Sequence, residues 1–227
     1  MVIYLFKKGR KGKIYNMEKN LYSLILTDEV VRRIDNAANE MGTNRSNLIN
    51  QILADYVSYT TPEMRIKHIF EHIFDLLAAT SLQPCSERGE KSIAVKTSLD
   101  SKYRPTIRYN VELYKKNGEQ IGELKVSYRT QSEELLYKIR SFFSEIMSIE
   151  KKFLTFDAAY TLSEGKFIRT FVIPYGTEYT QEEVARAISD YIKNFDCLLK
   201  KFLLEKYASR KELESDYRIY LSKSILI

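Results

Sequence analysis

The chain has 227 residues, a formal net charge of +6 and a hydrophobic share of 44%, with eight Gly, four Pro and two Cys. This composition excludes collagen-like, disordered and low-complexity classes, and a pair of distant Cys does not support a disulfide framework. Charged residues interrupt every apolar run before it reaches the length that crosses a bilayer. We therefore expect a folded cytoplasmic protein with no membrane contact.

The first 19 residues form a basic N-terminal arm that carries most of the net charge. Such an arm is typical of proteins that contact nucleic-acid phosphates. The candidate phosphate contacts of the arm are Lys7, Lys8, Arg10, Lys11 and Lys13. Two alternatives are a solvated extension without a function, and a natural start at Met17 that would remove the arm.

Residues 20–26, NLYSLIL, alternate in the manner of a short strand. Successive side chains of a strand point to opposite faces, so Tyr22, Leu24 and Leu26 share one face. The opposite face holds Leu21, Ser23 and Ile25.

Two amphipathic helices are predicted after this strand. The first begins after a cap at Thr27, has acidic residues in its first turn, and ends at Gly42. The second begins at Asn44 or Ser46 and continues to about Val57. One strand and two short helices cannot bury a stable core alone, so a second copy of the chain must complete it. The residues expected in this dimer core are Tyr22, Leu24, Leu26, Ile34, Leu48 and Ile52.

The stretch from Tyr22 to Val57 resembles the ribbon-helix-helix family of bacterial and phage DNA-binding proteins. Its most specific elements are the alternating strand, the capped acidic helix start, the EMG stop and the NRSNLI start of the second helix. In this family, two chains pair their strands and interlock their helices. The resemblance implies a ribbon-helix-helix module over residues 20–58.

The resemblance also implies a DNA-binding surface. The outward strand residues Leu21, Ser23 and Ile25 would face bases in the major groove, and the start of the second helix would hold phosphates. The implied phosphate contacts of that helix start are Thr43, Asn44, Arg45 and Ser46. The chain departs from the family because only Ser23 among the base-facing residues can form a hydrogen bond. Residues 17–60 also hold four basic against six acidic residues, so a module that serves only for dimerisation is the alternative.

Residues 62–227 are predicted to form a larger α+β domain with an antiparallel sheet and long amphipathic helices. The elements expected in chain order are a helix from Pro62, three strands with a turn at Asn117 and Gly118, a helix over 132–154, a hairpin around Gly165 and a helix capped by Thr180. Residues 209–227 are either a short helix or an edge strand. This order resembles that of type III secretion chaperones, which implies dimerisation and binding of a protein partner.

The sequence predicts no catalytic, metal or cofactor site. The two histidines, His68 and His72, are four residues apart on a helix, but with no other His and only Cys85 nearby in sequence a complete ligand set is hard to assemble, so we interpret them as ordinary residues of a helix face. Cys197 lies beside an apolar stripe and is interpreted as a small core residue. No nucleophile has a base and an anion hole beside it, which predicts a protein that is not an enzyme.

These observations together predict a dimeric, sequence-specific DNA-binding regulator of transcription, of the repressor type. Its partners would be double-stranded DNA, a second copy of the chain, and an effector or protein partner of the C-terminal domain. The alternative is a non-catalytic adaptor or antitoxin-like protein that uses the N-terminal module only to dimerise.

Overall fold

A computed structural model describes residues 21–85, 89, 91–99, 105–115 and 118–227. The basic arm, with its five candidate phosphate contacts, lies outside the described residues, as does Asn117 of the predicted turn. The described chain contains six helices and one six-stranded antiparallel sheet, so the predicted α+β class is confirmed.

The N-terminal part contains two helices, α1 (Asp28–Glu40) and α2 (Arg45–Tyr56). The chain leaves α1 through Gly42, whose φ of +64° lies in the left-handed region that favours glycine. Asn44 is the N-cap of α2, because its side chain accepts a hydrogen bond from the backbone N–H of Asn47. Thr27 holds the N-cap position of α1, although its side chain forms no capping hydrogen bond.

Residues 21–27 form neither helix nor strand in the single chain. The predicted strand is therefore absent from the isolated protomer, where no second strand pairs with its backbone. A lone strand leaves its N–H and C=O groups without ladder partners, and it becomes stable only when another strand supplies them. The ribbon-helix-helix arrangement thus stays a prediction that depends on a second copy.

The remaining helices and strands belong to residues 62–227. They are α3 (Pro62–Leu77), β1 (Gln83–Pro84), β2 (Ser92–Ser98), β3 (Thr106–Leu113), β4 (Gln120–Tyr128), α4 (Glu133–Phe153), β5 (Tyr160–Ser163), β6 (Lys166–Val172), α5 (Gln181–Leu203) and α6 (Arg210–Leu221). The predicted helices and both hairpins are present. The structure adds the short strand β1 between α3 and β2, and it makes most of the C-terminal tail a helix.

The sheet has the strand order β1-β2-β3-β4-β6-β5, with every neighbouring pair antiparallel. Buried and half-exposed residues alternate along β3 and β4. Because strand side chains alternate between faces, one face of the sheet is covered and the other is open. The inward residues of these strands pack with the apolar stripes of α3, α4 and α5 in one hydrophobic core.

An aromatic cluster lies at the centre of this core. The rings of Phe143 and Phe167 stack with centroids 4.7 Å apart, and Phe195 lies 5.7 Å from Phe167. The core runs from Ile66 on α3 to the C-terminal Ile227, and none of residues 21–61 belongs to it. The N-terminal helices therefore lie outside the core of residues 62–227.

Candidate functional site

Large apolar side chains that are exposed to solvent concentrate in residues 21–59. Within this range only three apolar side chains are buried, namely Ala38, Leu48 and Ala54. A concentration of exposed large apolar side chains is typical of a surface that another molecule covers. The exposed members are Leu21, Tyr22, Leu24, Ile25, Leu26, Val30, Met41, Ile52, Leu53, Tyr56, Val57 and Tyr59.

The six residues predicted for the dimer core divide into two groups in the single chain. Leu48 is buried and Ile34 is half-buried between the two N-terminal helices. The other four are exposed, which is the condition expected of residues that a second copy would cover. They are Tyr22, Leu24, Leu26 and Ile52.

Two of the three predicted base-facing residues are the most exposed large apolar side chains of this segment. Leu21 is 99% exposed and Ile25 is 103% exposed, whereas Leu24 is 58% and Leu26 is 40% exposed. Ser23 is also exposed. Leu21 and Ile25 are thus almost fully exposed in one chain, whereas on the side predicted to face the core Tyr22 is 80% exposed and the two Leu residues are less exposed.

The start of α2 brings the four predicted helix-start contacts close together. Thr43 is half-buried, while Asn44, Arg45 and Ser46 are exposed. The first N–H groups of a helix have no partner within the helix and favour anions. The Asn44 side chain caps α2, and Arg45 Nε donates to Asp35 Oδ1 at 2.7 Å.

The other cations of the described N-terminal segment are also paired. Glu29 accepts hydrogen bonds from Arg32 at 2.7 Å and from Arg33 at 2.8 Å on the same exposed helix surface. These bonds, Arg32's first and then Arg33's, lower the pKa of Glu29 below its ordinary value. Likewise, hydrogen bonding to Arg45 lowers the pKa of Asp35. Each Arg of this segment therefore faces a carboxylate, which leaves little free positive charge.

A small cavity of about 220 Å³ lies between the α1–α2 connection and α3. Thr43 lies on its wall, so this residue is turned toward the C-terminal domain and is less available to a phosphate than its three neighbours. The walls combine apolar and polar groups from both parts of the chain. They include Met41, Thr43, Gln51, Met64, Lys67, Phe70 and Phe74.

A larger cleft of about 560 Å³ lies between β2 and the end of α5. Lys200 on its wall donates to Asp196 at 2.7 Å and to Thr97 at 2.8 Å. The buried Tyr109 hydroxyl donates to the second oxygen of Asp196 at 2.9 Å. Burial, followed by the charge of Asp196, raises the pKa of Tyr109 well above its ordinary value. The Lys200 ammonium is thus held by the protein itself.

A fully buried ion pair lies inside the C-terminal domain, where Arg169 Nε donates to Glu150 Oε2 at 3.0 Å. Three tyrosine hydroxyls also donate to the Glu150 carboxylate, from Tyr160 on β5, Tyr191 on α5 and Tyr217 on α6. The pair connects α4 and β6, and it has no opening to solvent. Together with the three tyrosines, the pair connects α4, β5, β6, α5 and α6, which fits a structural role.

Sequence reasoning missed this pair, although one signal for it exists. Inward positions of β6 follow every second residue, and Arg169 falls between Phe167 and Phe171 on that buried face. A charged residue in such a position requires a buried partner of opposite charge.

The histidines do not form a metal site with the residues around them. His68 lies 3.2 Å from the Gln181 side chain, and His72 lies 3.6 Å from Glu182 at the start of α5. Within the described ranges, no group of three His, Cys, Asp or Glu residues could hold a metal ion.

The interpretation of Cys197 as a core residue is wrong, because this residue is exposed. The buried stripe of α5 runs through Phe195, Asp196, Leu198 and Leu199. Helical geometry places the residue between these pairs on the opposite, solvent-facing side.

No family model, curated protein or solved structure matches this chain. In the part of the chain that the structure describes, no helix is both long and apolar enough to span a membrane. The function is therefore inferred from the residues and their geometry.

Proposed function

We propose that the protein is a homodimeric, cytoplasmic DNA-binding regulator of transcription, of the repressor type, in which residues 20–58 of two copies form a ribbon-helix-helix module. The observation that carries this proposal is the contrast between the two parts of the chain. Residues 62–227 bury a core of their own, whereas residues 21–59 expose twelve large apolar side chains.

A second copy of the chain is the partner best suited to bury this exposed apolar surface. Fully burying an exposed large apolar side chain contributes about 1.5–3 kcal/mol. Because Tyr22, Leu24, Leu26 and Ile52 are 80%, 58%, 40% and 50% exposed in one chain, covering all four represents roughly 3–7 kcal/mol per chain. That range is a large part of the whole stability of a small domain, about 5–15 kcal/mol. Pairing of two 20–26 segments would also satisfy the backbone groups of residues 21–26, which have no ladder partner in one chain.

DNA binding follows from what such pairing leaves outside. The exposed side of the segment, Leu21, Ser23 and Ile25, would lie in the major groove. The α2 start, with Asn44, Arg45 and Ser46 exposed, would approach phosphates on either side. The basic arm would supply the phosphate contacts that the paired Arg residues of the module do not.

The C-terminal domain would sense an effector or bind a protein partner. Its cleft of about 560 Å³ has the size of small-molecule sites, which span about 300–1,000 Å³. The cavity beside Thr43 lies between this domain and the proposed DNA-binding helix start. An occupant of the cavity beside Thr43 would be able to change the orientation of the module, because residues of both parts of the chain line it.

The second candidate is a non-catalytic adaptor or antitoxin-like protein that uses the module only to dimerise. One observation favours it: Arg32, Arg33 and Arg45 are all paired with carboxylates of their own chain. The two candidates share the dimer and differ in DNA binding alone.

An electrophoretic mobility assay separates the two candidates. The full chain is mixed with duplex DNA from the region upstream of its own gene, and with a shuffled duplex of equal composition as the control. The regulator predicts a shift of the upstream duplex at protein concentrations that leave the shuffled one free. A dimer that shifts neither duplex supports the adaptor.

A further inference from the structure

We infer that this protein recognises A·T-rich DNA by contact between apolar side chains and thymine methyl groups. This inference rests on the proposed DNA-binding function and specifies the chemistry of its target. It follows from the side chains that the segment 21–27 presents, together with those that it lacks.

The strongest observation is the extreme exposure of two apolar residues at alternate positions. Leu21 and Ile25 are 99% and 103% exposed, the highest values among the exposed large hydrophobic residues of the described chain. Neither residue contributes to the core of its own protomer. When the opposite side of the segment enters a dimer core, strand alternation keeps these two side chains together on the outer face.

The chemistry of the major groove identifies the base that suits them. Thymine alone presents a methyl group there, whereas guanine and cytosine present only hydrogen-bonding groups. Leu and Ile contribute dispersion and apolar burial but neither donate nor accept a hydrogen bond. Ser23, which lies between them, can bond to either kind of base pair and therefore does not favour guanine.

The residues that would read guanine are absent from this segment. Arg or Lys donating to guanine O6 and N7 is the commonest specific contact in the major groove. Residues 21–27, LYSLILT, contain neither type, and the three Arg residues of the described module lie on α1 and α2 in ion pairs. An apolar side chain leaves polar base edges unpaired at either kind of base pair, but only at an A·T pair does it gain contact with a methyl group, which favours A·T sites.

The expected size of the effect follows from apolar burial. Burying one methyl-sized group contributes about 0.8 kcal/mol, or about a fourfold change in Kd. A dimer presents Leu21 and Ile25 twice, once from each strand. Several contacted methyls together should change the affinity at least tenfold.

The test begins with the full chain and a pool of random duplexes, from which bound sequences are selected. The selected sites should be rich in A·T pairs. The best site is then made again with uracil in place of each thymine, which removes the methyl groups but keeps base pairing and the O4 acceptor. We expect at least a tenfold rise in Kd with an unchanged dependence on salt, because the phosphate contacts stay the same.

Two variants show whether the named residues cause this discrimination. The double substitution Leu21→Ala and Ile25→Ala should bind the thymine and uracil duplexes with nearly equal affinity. The control Ser23→Ala should keep the full preference for thymine. Both variants change exposed side chains, and sedimentation verifies that their oligomeric state matches that of the parent.

The outcomes separate this inference from the function on which it rests. Equal binding of thymine and uracil duplexes by the parent chain, or selection of G·C-rich sites, overturns the methyl contact while DNA binding stands. A parent chain that enriches and binds no duplex overturns both proposals.

Discussion

Arg45 at the start of α2 forms a two-pronged ion pair with Asp35 on α1, and its Nε lies 2.7 Å from Asp35 Oδ1. The two residues are ten positions apart and connect the two N-terminal helices on an exposed surface. Hydrogen bonding within the pair lowers the pKa of Asp35 and raises that of Arg45. The side chain best placed to contact a phosphate therefore already has an anionic partner within its own chain.

Neutralising Asp35 should release Arg45 toward DNA. We expect Asp35→Asn to tighten binding several-fold and to steepen the dependence of affinity on salt by up to about 0.9, the contribution of one phosphate contact on B-DNA. Binding isotherms at several salt concentrations measure both quantities. Adding Arg45→Gln to Asp35→Asn should remove the gain.

The control for this experiment is Glu29→Gln, which changes the net charge by the same amount but releases Arg32 and Arg33 on α1. A similar gain from both variants would attribute the effect to overall charge. A gain confined to Asp35→Asn assigns it to Arg45. Unchanged binding in Asp35→Asn would contradict a phosphate contact by Arg45.

The dimer core should not tolerate a charge at Leu24. In the proposed dimer this side chain is buried, so Leu24→Asp would place an unpaired carboxylate in the interface at a cost of several kcal/mol. Sedimentation equilibrium should show a monomer for this variant and a dimer for the parent.

The matched control introduces an Asp at an exposed apolar position of the C-terminal domain. Tyr137 on α4 is 74% exposed, so Tyr137→Asp should leave the dimer intact. A dimeric Leu24→Asp chain would show that residues 21–26 do not form the interface.

The helices and most strands were predictable because their signals are local. Thr61, Ser132 and Thr180 each accept the capping hydrogen bond expected of an N-cap, and Pro62 occupies the first turn of α3. β1 escaped prediction because it contains only Gln83 and Pro84, too few residues to show alternation.

The sheet order required information that no local pattern contains. β6 lies between β4 and β5, although β5 precedes it in the chain. Which strands become neighbours depends on how the connecting helix α4 crosses the sheet. Hydrophobic periodicity indicates only which residues face inward, so it does not predict the strand order.

The buried pair of Glu150 and Arg169 should be a strong determinant of stability. Glu150→Gln keeps the shape of the side chain but leaves a buried guanidinium without its counter-charge, and breaking a buried pair costs about 3–5 kcal/mol. Urea denaturation of the full chain measures this loss from the shift of the unfolding midpoint.

The exposed ion pair between Lys152 on α4 and Glu214 on α6 provides the control. Glu214→Gln should have a much smaller effect, because exposed pairs contribute little to stability. If the two variants lose equal stability, the buried carboxylate has no special role.

The buried tyrosines should make the protein sensitive to alkali. Burial, followed by the negative charge of Glu150, raises the pKa of Tyr191 and Tyr217 well above the ordinary value of 10.0. The folded state thus favours the neutral phenols, so their contribution to stability is complete below about pH 10 and is lost as the pH rises further.

Absorbance of the ionised phenol and circular dichroism, recorded together against pH, test this expectation. Ionisation of the buried group of tyrosines should coincide with unfolding. Complete ionisation of all 17 tyrosines in a chain that keeps its circular dichroism would contradict their burial.

The candidate site was only partly predictable, because contacts between separate elements leave no local pattern in the sequence. The division of residues 21–26 between an outer and an inner face stays a prediction, because these residues form no strand in the single chain and both Tyr22 and Leu24 are exposed there. The ion pair of Arg45 with Asp35 was not foreseen, because it depends on the angle at which α1 and α2 pack. Glu150 was missed because its partners come from elements up to 67 residues away.

The stoichiometry of the complex with DNA tests the central claim most directly. Sedimentation equilibrium of the full chain is recorded alone and with a fluorescent duplex from the region upstream of its gene, with a shuffled duplex as the control. The proposed regulator predicts a dimer in the absence of DNA and two chains, or a multiple of two, on the upstream duplex. A monomer that remains monomeric with DNA, or a dimer that leaves the duplex free, would contradict it.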